Sequence, residues 1–151
     1  MNDDRLTSTG SSGPSLRLKL VRGVFELKGI PLFEGLGAED LLPIAEAVTR
    51  VEAQPGDLLA REGEDASEIW LVIEGRIEAN RRGRAVAEYG PGDLAGDLAL
   101  LDGRHGATLR VVEPVAMLAL RRDDFEELLE LNPALARNVI FLLSRRLRSP
   151  G

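Results

Sequence analysis

The chain has 151 residues, 25 acidic against 19 basic side chains, a net charge of −6 and no cysteine. That length supports one domain with a proper core, and the acidic balance argues against a nucleic-acid-binding surface spread over the molecule. The missing thiols exclude disulfides and thiolate metal sites and fit a cytoplasmic setting. The single histidine is too few for a jelly-roll metal centre built from two or three imidazoles, so no metal is expected.

Residues 1–15 are small and polar, with Ser8, Thr9, Gly10, Ser11, Ser12, Gly13, Pro14 and Ser15 in succession, and read as a disordered tail. The opening Met1-Asn2-Asp3-Asp4-Arg5 lacks the basic start and apolar centre of a signal peptide. From Leu16 the pattern changes. Leu16, Leu20, Val24 and Leu27 recur at helical spacing, with Val21 and Phe25 on the same side. Ile30-Pro31-Leu32-Phe33 forms an apolar elbow. Glu39 to Ala47 reads as a second helix with Leu41, Leu42 and Ala45 buried, and Pro43 lies in its first turns, where a missing N–H is tolerated.

Residues 48–121 read as short strands between regular turn signals at Gln54-Pro55-Gly56-Asp57, Gly63-Glu64-Asp65, Glu74-Gly75, Arg82-Gly83, Gly90-Pro91-Gly92-Asp93, Asp102-Gly103 and Glu113-Pro114. Arg76 to Asn80 alternates as a strand with one wet face, as do Ala107, Leu109 and Val111 with Thr108 and Arg110. Ile69-Trp70-Leu71-Val72-Ile73 is continuously apolar and predicts a strand buried on both faces. This spacing without long helices between strands argues for a mainly β, antiparallel sandwich or jelly roll. The longest apolar run, Val115 to Leu120, is far too short to span a bilayer. The basic Arg81-Arg82-Gly83-Arg84 reads as the solvated tip of a hairpin.

Residues 122–148 hold two helices. Asp123 is placed to cap the first, with Glu126 as its capping-box partner. Asn132-Pro133 ends it and starts the second, which carries Leu135, Val139, Leu142 and Leu143 on one side. Arg145, Arg146 and Arg148 at its end suit the helix dipole.

The functional signal lies in Gly90 to Leu109. Gly96 frees the backbone at the start of a short helical turn, Asp97 to Leu101, over an apolar floor of Leu98, Leu100 and Leu101. The first N–H groups of such a turn point outward and suit an anion. Asp97, Arg104 and His105 flank them.

This stretch resembles the phosphate-binding cassette of cyclic nucleotide-binding domains, as in bacterial cAMP receptor proteins and protein kinase A regulatory subunits. Gly96, Leu98, Ala99, Leu100, Ala107 and Thr108 match its Phe-Gly-Glu-Leu-Ala-Leu … Arg … Thr-Val pattern. The likeness covers roughly residues 16–148. It implies an antiparallel jelly roll with helices on both sides, forming one domain over 16–151. It also implies a ligand cassette at 95–108 using Gly96, Asp97, Leu98, Ala99, Arg104, His105, Gly106 and Ala107. Asp97 stands where the family has a ribose-binding glutamate, and is one methylene shorter. The phosphate arginine falls on His105, with Arg104 one place early. Gly106 occupies the slot that is threonine in cGMP-type members, which favours cAMP.

The resulting expectation is a non-catalytic regulatory module that holds a cyclic mononucleotide, without other cofactors. No Gly-x-Ser-x-Gly motif, Cys/His pair or Walker loop offers an enzymatic reading. The second hypothesis keeps the fold without the ligand. The module then serves protein–protein interaction or dimerisation through residues 133–148. Neither hypothesis includes direct DNA binding or a membrane. If His105 holds the phosphate, binding tightens as pH falls through about 6.5.

Overall fold

The structure is a computed structural model and describes residues 14–97 and 99–148; for residues 14–19, 101, 147 and 148 only the backbone is described. The expected tail over 1–13 lies outside the described residues. Helix α1 (Pro14–Lys28) opens at a proline, whose missing N–H costs nothing in a first turn, and a 3-10 turn (Pro31–Phe33) follows. Helix α2 is Ala38–Ala47. Six strands come next: β1 (Thr49–Ala53), β2 (Leu58–Ala60), β3 (Glu68–Arg81), β4 (Arg84–Tyr89), β5 (Leu94–Ala95) and β6 (Thr108–Arg121). The short helix α3 (Ala99–Asp102) lies between β5 and β6, and α4 (Arg122–Leu131) and α5 (Pro133–Arg148) close the chain. All strand pairings are antiparallel, in the order β1-β6-β3-β4, with β2 added on β6 and β5 on β3. The mainly β fold with helices before and after it is as expected from the turn spacing.

Strand β3 explains the architecture. Ile69, Trp70, Leu71 and Val72 are all buried, but on opposite faces. Ile69 and Leu71 join Leu94, Leu118 and Leu120 beneath the helices, with Leu27, Phe33, Leu41, Ile44, Phe125 and Leu135. Trp70 and Val72 instead meet Ile77, Ala79, Tyr89, Val111, Met117 and Ala119 on the other face. The period of two along a strand makes one run serve two cores.

Two of the expected turns are not turns. Glu74-Gly75 lies inside the continuous strand β3 and Glu113-Pro114 inside β6. The register shifts between Val72 and Ile77 as these segments face each other. Both strands bulge rather than reverse, since a bulge admits an extra residue and a proline without ending the pairing. Gly75 has φ +88°, and a Cβ there would run into the Pro114 carbonyl.

The helical faces also differ in detail from the spacing argument. Val21 and Phe25 are 52% and 70% exposed; among the described side chains of α1, Leu27 and Val24 are the ones that join the core. In α2 the buried residues are Leu41 and Ile44, while Leu42 is exposed. Helix α4 starts one residue before Asp123 and has no side-chain cap. Arg122 pairs instead with Glu126 at 2.9 Å, one turn on. In α5 the expected face holds: Leu135 and Val139 are buried, and Leu142 and Leu143 pack on the same core. Asn132 caps α5 by accepting the Leu135 N–H at 3.2 Å, and Asn138 donates to the carbonyls of Leu32 (2.8 Å) and Glu34 (2.9 Å). These bonds pin α5 across the 3-10 turn. Among the described residues no helix is long and apolar enough to cross a membrane.

Candidate functional site

A cavity of about 180 Å³ lies on the Trp70 side of β3, lined by Arg81, Tyr89, Gly96, Asp97, His105, Gly106, Ala107 and Arg146 together with apolar residues of β3, β4 and β6. A larger groove of about 390 Å³ runs between α1 and the sheet. Among the described residues its ion pair is Glu26–Arg50, exposed and 3.8 Å apart, and no described residue of the expected cassette lines it. The smaller cavity carries the chemistry.

Gly96 has φ +88°, a left-handed value that favours glycine. It turns the chain sharply out of β5 and drops Asp97 into the interior, where it is 1% exposed. A carboxylate so deep needs partners, and several elements supply them. The Tyr89 hydroxyl, from the end of β4, donates to Oδ1 at 3.0 Å. Nε of Arg146, from α5, stands 3.5 Å from Oδ2. The Arg146 guanidinium lies 4.1 Å over the Tyr89 ring, and its Nη1 donates to the Glu88 carbonyl at 3.0 Å. Burial, and next the Asp97 charge, push the Tyr89 phenol well above its usual range, so it stays a donor.

His105 is buried and stacks on Trp70, with ring centroids 5.8 Å apart and planes 19° from parallel. Its backbone is bonded on both sides of the Gly63 turn: its N–H donates to Glu64 (2.9 Å) and its carbonyl accepts from Gly63 (2.8 Å). Burial lowers its pKa below the usual 6.5, partly opposed by the Glu64 charge. It is therefore a neutral ring at pH 7. Arg104 points elsewhere. It bridges to Asp65 on the surface, Nε 3.9 Å from Oδ1, and does not line the cavity. The two candidates for a phosphate arginine thus separate into an outward cation and an inward neutral ring.

The short helix differs from the expectation as well. It spans Ala99–Asp102 rather than Asp97–Leu101. The N–H groups of Ala99 and Leu100 turn back to the carbonyls of Gly96 (3.0 Å) and Asp97 (3.1 Å), so these two amides are not bare. Gly96 bends the chain tightly enough for three-residue bonds to form before a full helical turn does. Ala99 is buried outside the cavity lining, and Leu98 lies outside the described residues. Of the expected site residues, the fold brings together Gly96, Asp97, His105, Gly106 and Ala107.

The cyclic nucleotide-binding domain family matches residues 50–132, which runs from β1 through the cavity to α4. The chain belongs to this family. The cyclic AMP receptor protein of Thermus thermophilus is 36% identical over 129 residues, 81% of this chain and 59% of that protein. The crystal structure of the T. thermophilus catabolite activator protein has a TM-score of 0.67 at 35% identity, covering 78% of this chain and 58% of that one. The regulatory subunit of a cAMP-independent protein kinase A from Trypanosoma brucei has a TM-score of 0.75 at 28% identity, covering 91% and 48%. The chain therefore spans less than two thirds of the length of these relatives.

For a cyclic nucleotide-binding domain, three polar cavity residues lie outside the cassette pattern. Tyr89 is the only tyrosine, at the end of β4. Arg146 sits in an arginine cluster at the end of α5, and Arg81 in a hairpin that reads as solvated. Their spacing offers no signal, because they reach the cavity only through tertiary packing.

Proposed function

We propose that this cyclic nucleotide-binding domain is a non-catalytic sensor module whose cavity takes a cyclic mononucleotide, cAMP in preference to cGMP, and reports its presence through α5. The observation that carries the reading is the Arg146–Asp97 pair, which ties the ligand cavity to the last helix. A cavity of about 180 Å³ is smaller than the roughly 300 Å³ at the low end of small-molecule sites. A nucleotide enters only when the Arg146 side chain leaves. A ribose hydroxyl donates to Asp97 in its place, and the end of α5 loses its hold on Tyr89 and Glu88. Binding then shifts α5 between two placements by differential affinity, without any induced step being required. The preference for cAMP rests on Gly106, which offers guanine no hydroxyl.

A second reading is favoured by the same pair. With Asp97 already neutralised by Arg146, and His105 uncharged, the cavity is satisfied without a ligand. The module then works as an interaction or dimerisation surface, for which α5 presents Ile140 and Phe141, each 65% exposed. Calorimetric titration with cAMP and cGMP separates the two. Heat and a thermal shift with cAMP, larger than with cGMP, support the sensor. Neither response at millimolar nucleotide leaves the interaction module.

A further inference from the structure

Arg81 closes β3 at the two-residue hairpin Arg82-Gly83, where both residues have positive φ (54° and 79°). The hairpin is held down by the Arg82 N–H, which donates to Glu62 at 3.0 Å. Arg81 is exposed, but its side chain is anchored back onto the cassette loop. Its Nε donates to the Gly106 carbonyl at 2.9 Å, and one terminal nitrogen lies 3.6 Å from where a Gly106 Cβ would be. The guanidinium is thereby placed beside Gly106 and Ala107, within the cavity lining.

The charges around the cavity decide what this means. Among the described lining residues, Asp97 is the carboxylate and Arg81 and Arg146 are the cations. Arg146 is engaged with Asp97, and Arg104 is turned out to Asp65. His105 is uncharged at neutral pH. One positive charge remains, on Arg81, next to the loop in which the family pattern puts its phosphate arginine.

We propose that Arg81 is the residue that holds the anionic group of the ligand, taking the single negative charge of a cyclic phosphodiester in the place left by Arg104 and His105. This rests on the sensor reading above. A guanidinium suits the role: it is always charged, and with Nε fixed on a carbonyl its terminal N–H groups are pre-aimed donors. Arg81 remains in place when Arg146 is displaced, because its anchor is the Gly106 backbone rather than α5.

The test is cAMP affinity at low and high salt for the wild type, Arg81→Gln, Arg81→Lys and Arg104→Gln, with thermal melts to confirm folding. The wild type is expected to weaken with salt, since an exposed ion pair is screened. Arg81→Gln is expected to bind about ten- to a hundredfold more weakly at low salt and to lose the salt dependence. Arg81→Lys should retain part of both, and Arg104→Gln should match the wild type. Unchanged affinity in Arg81→Gln, or a loss that leaves the salt dependence intact, overturns the role of Arg81 alone. Loss of salt dependence in Arg104→Gln overturns it too. A wild type that binds no cAMP overturns the sensor reading and this inference with it.

Discussion

Nε of Arg146 stands 3.5 Å from Oδ2 of Asp97, so a side chain near the end of the chain is paired with the carboxylate at the centre of the cassette. The pair is sheltered, with the Asp97 side chain 2% and the Arg146 side chain 24% exposed. Removing the arginine leaves Asp97 with the Tyr89 hydroxyl still donating to it. Arg146→Ala is expected to melt a few degrees below the wild type, in line with a loss of about 1.5–3 kcal/mol for a hydrogen bond to a charged group. It is also expected to bind cAMP about tenfold more tightly, because the ligand no longer competes for Asp97. Melting curves and calorimetry read both effects. Weaker cAMP binding in this variant would mean that Arg146 is a ligand contact and not a competitor.

Tyr89→Phe separates the hydroxyl from the ring. The phenyl still lies under the Arg146 guanidinium, while the bond to Oδ1 of Asp97 is lost. An expected cost of about 1.5–3 kcal/mol follows from leaving a buried carboxylate oxygen short of a donor. Urea unfolding of the two proteins measures it, and a midpoint equal to the wild type would show that the hydroxyl contributes nothing.

His105 gives a pH dependence of defined sign. Its pKa is lowered on folding, by burial, so the unfolded chain binds more protons than the folded one below 6.5. Stability is then complete above about pH 6.5 and falls as pH drops from there toward the depressed folded value. Wild type is expected to lose melting temperature between pH 7 and pH 5 by more than His105→Gln, which has no such group. If His105 holds the phosphate, binding still tightens as pH falls, and the burial that lowers the free ring's pKa extends that tightening below 6.5. Equal pH profiles for the two proteins would contradict the assignment.

Gly75 tests the bulge. A side chain there meets two obstacles, the left-handed φ and the Pro114 carbonyl on the facing strand. The conformational term alone is about 1–2 kcal/mol, and a backbone obstacle cannot swing aside as a side chain can. Gly75→Ala is expected to lose more than about 2 kcal/mol, measured by urea unfolding. A smaller loss would show that β3 and β6 separate easily at this point.

The comparison of chain and structure turns on how far each signal reaches. The two-sided burial of Ile69 to Val72 was legible because an unbroken apolar run has no wet face to give away. The cassette turn was legible because Gly96 and the leucines after it constrain the backbone locally. Glu74-Gly75 and Glu113-Pro114 misread as turns for a physical reason. Glycine and proline break local regularity, but whether the strand reverses or bulges depends on the strand opposite. Spacing puts Val21 and Phe25 on one helix face, but it does not say which neighbour covers that face, and both are exposed.

The same division holds for the site. By itself the sequence determined a β fold flanked by helices, a glycine-opened loop and a carboxylate at Asp97, since these follow from periodicity and short-range backbone geometry. Only the tertiary structure decided which charges meet inside. Arg104, adjacent to the loop in the chain, turns to solvent, while Arg81 and Arg146 arrive from a hairpin and from the last helix. A buried carboxylate selects its partners by distance in space, and distance along the chain does not enter that energy.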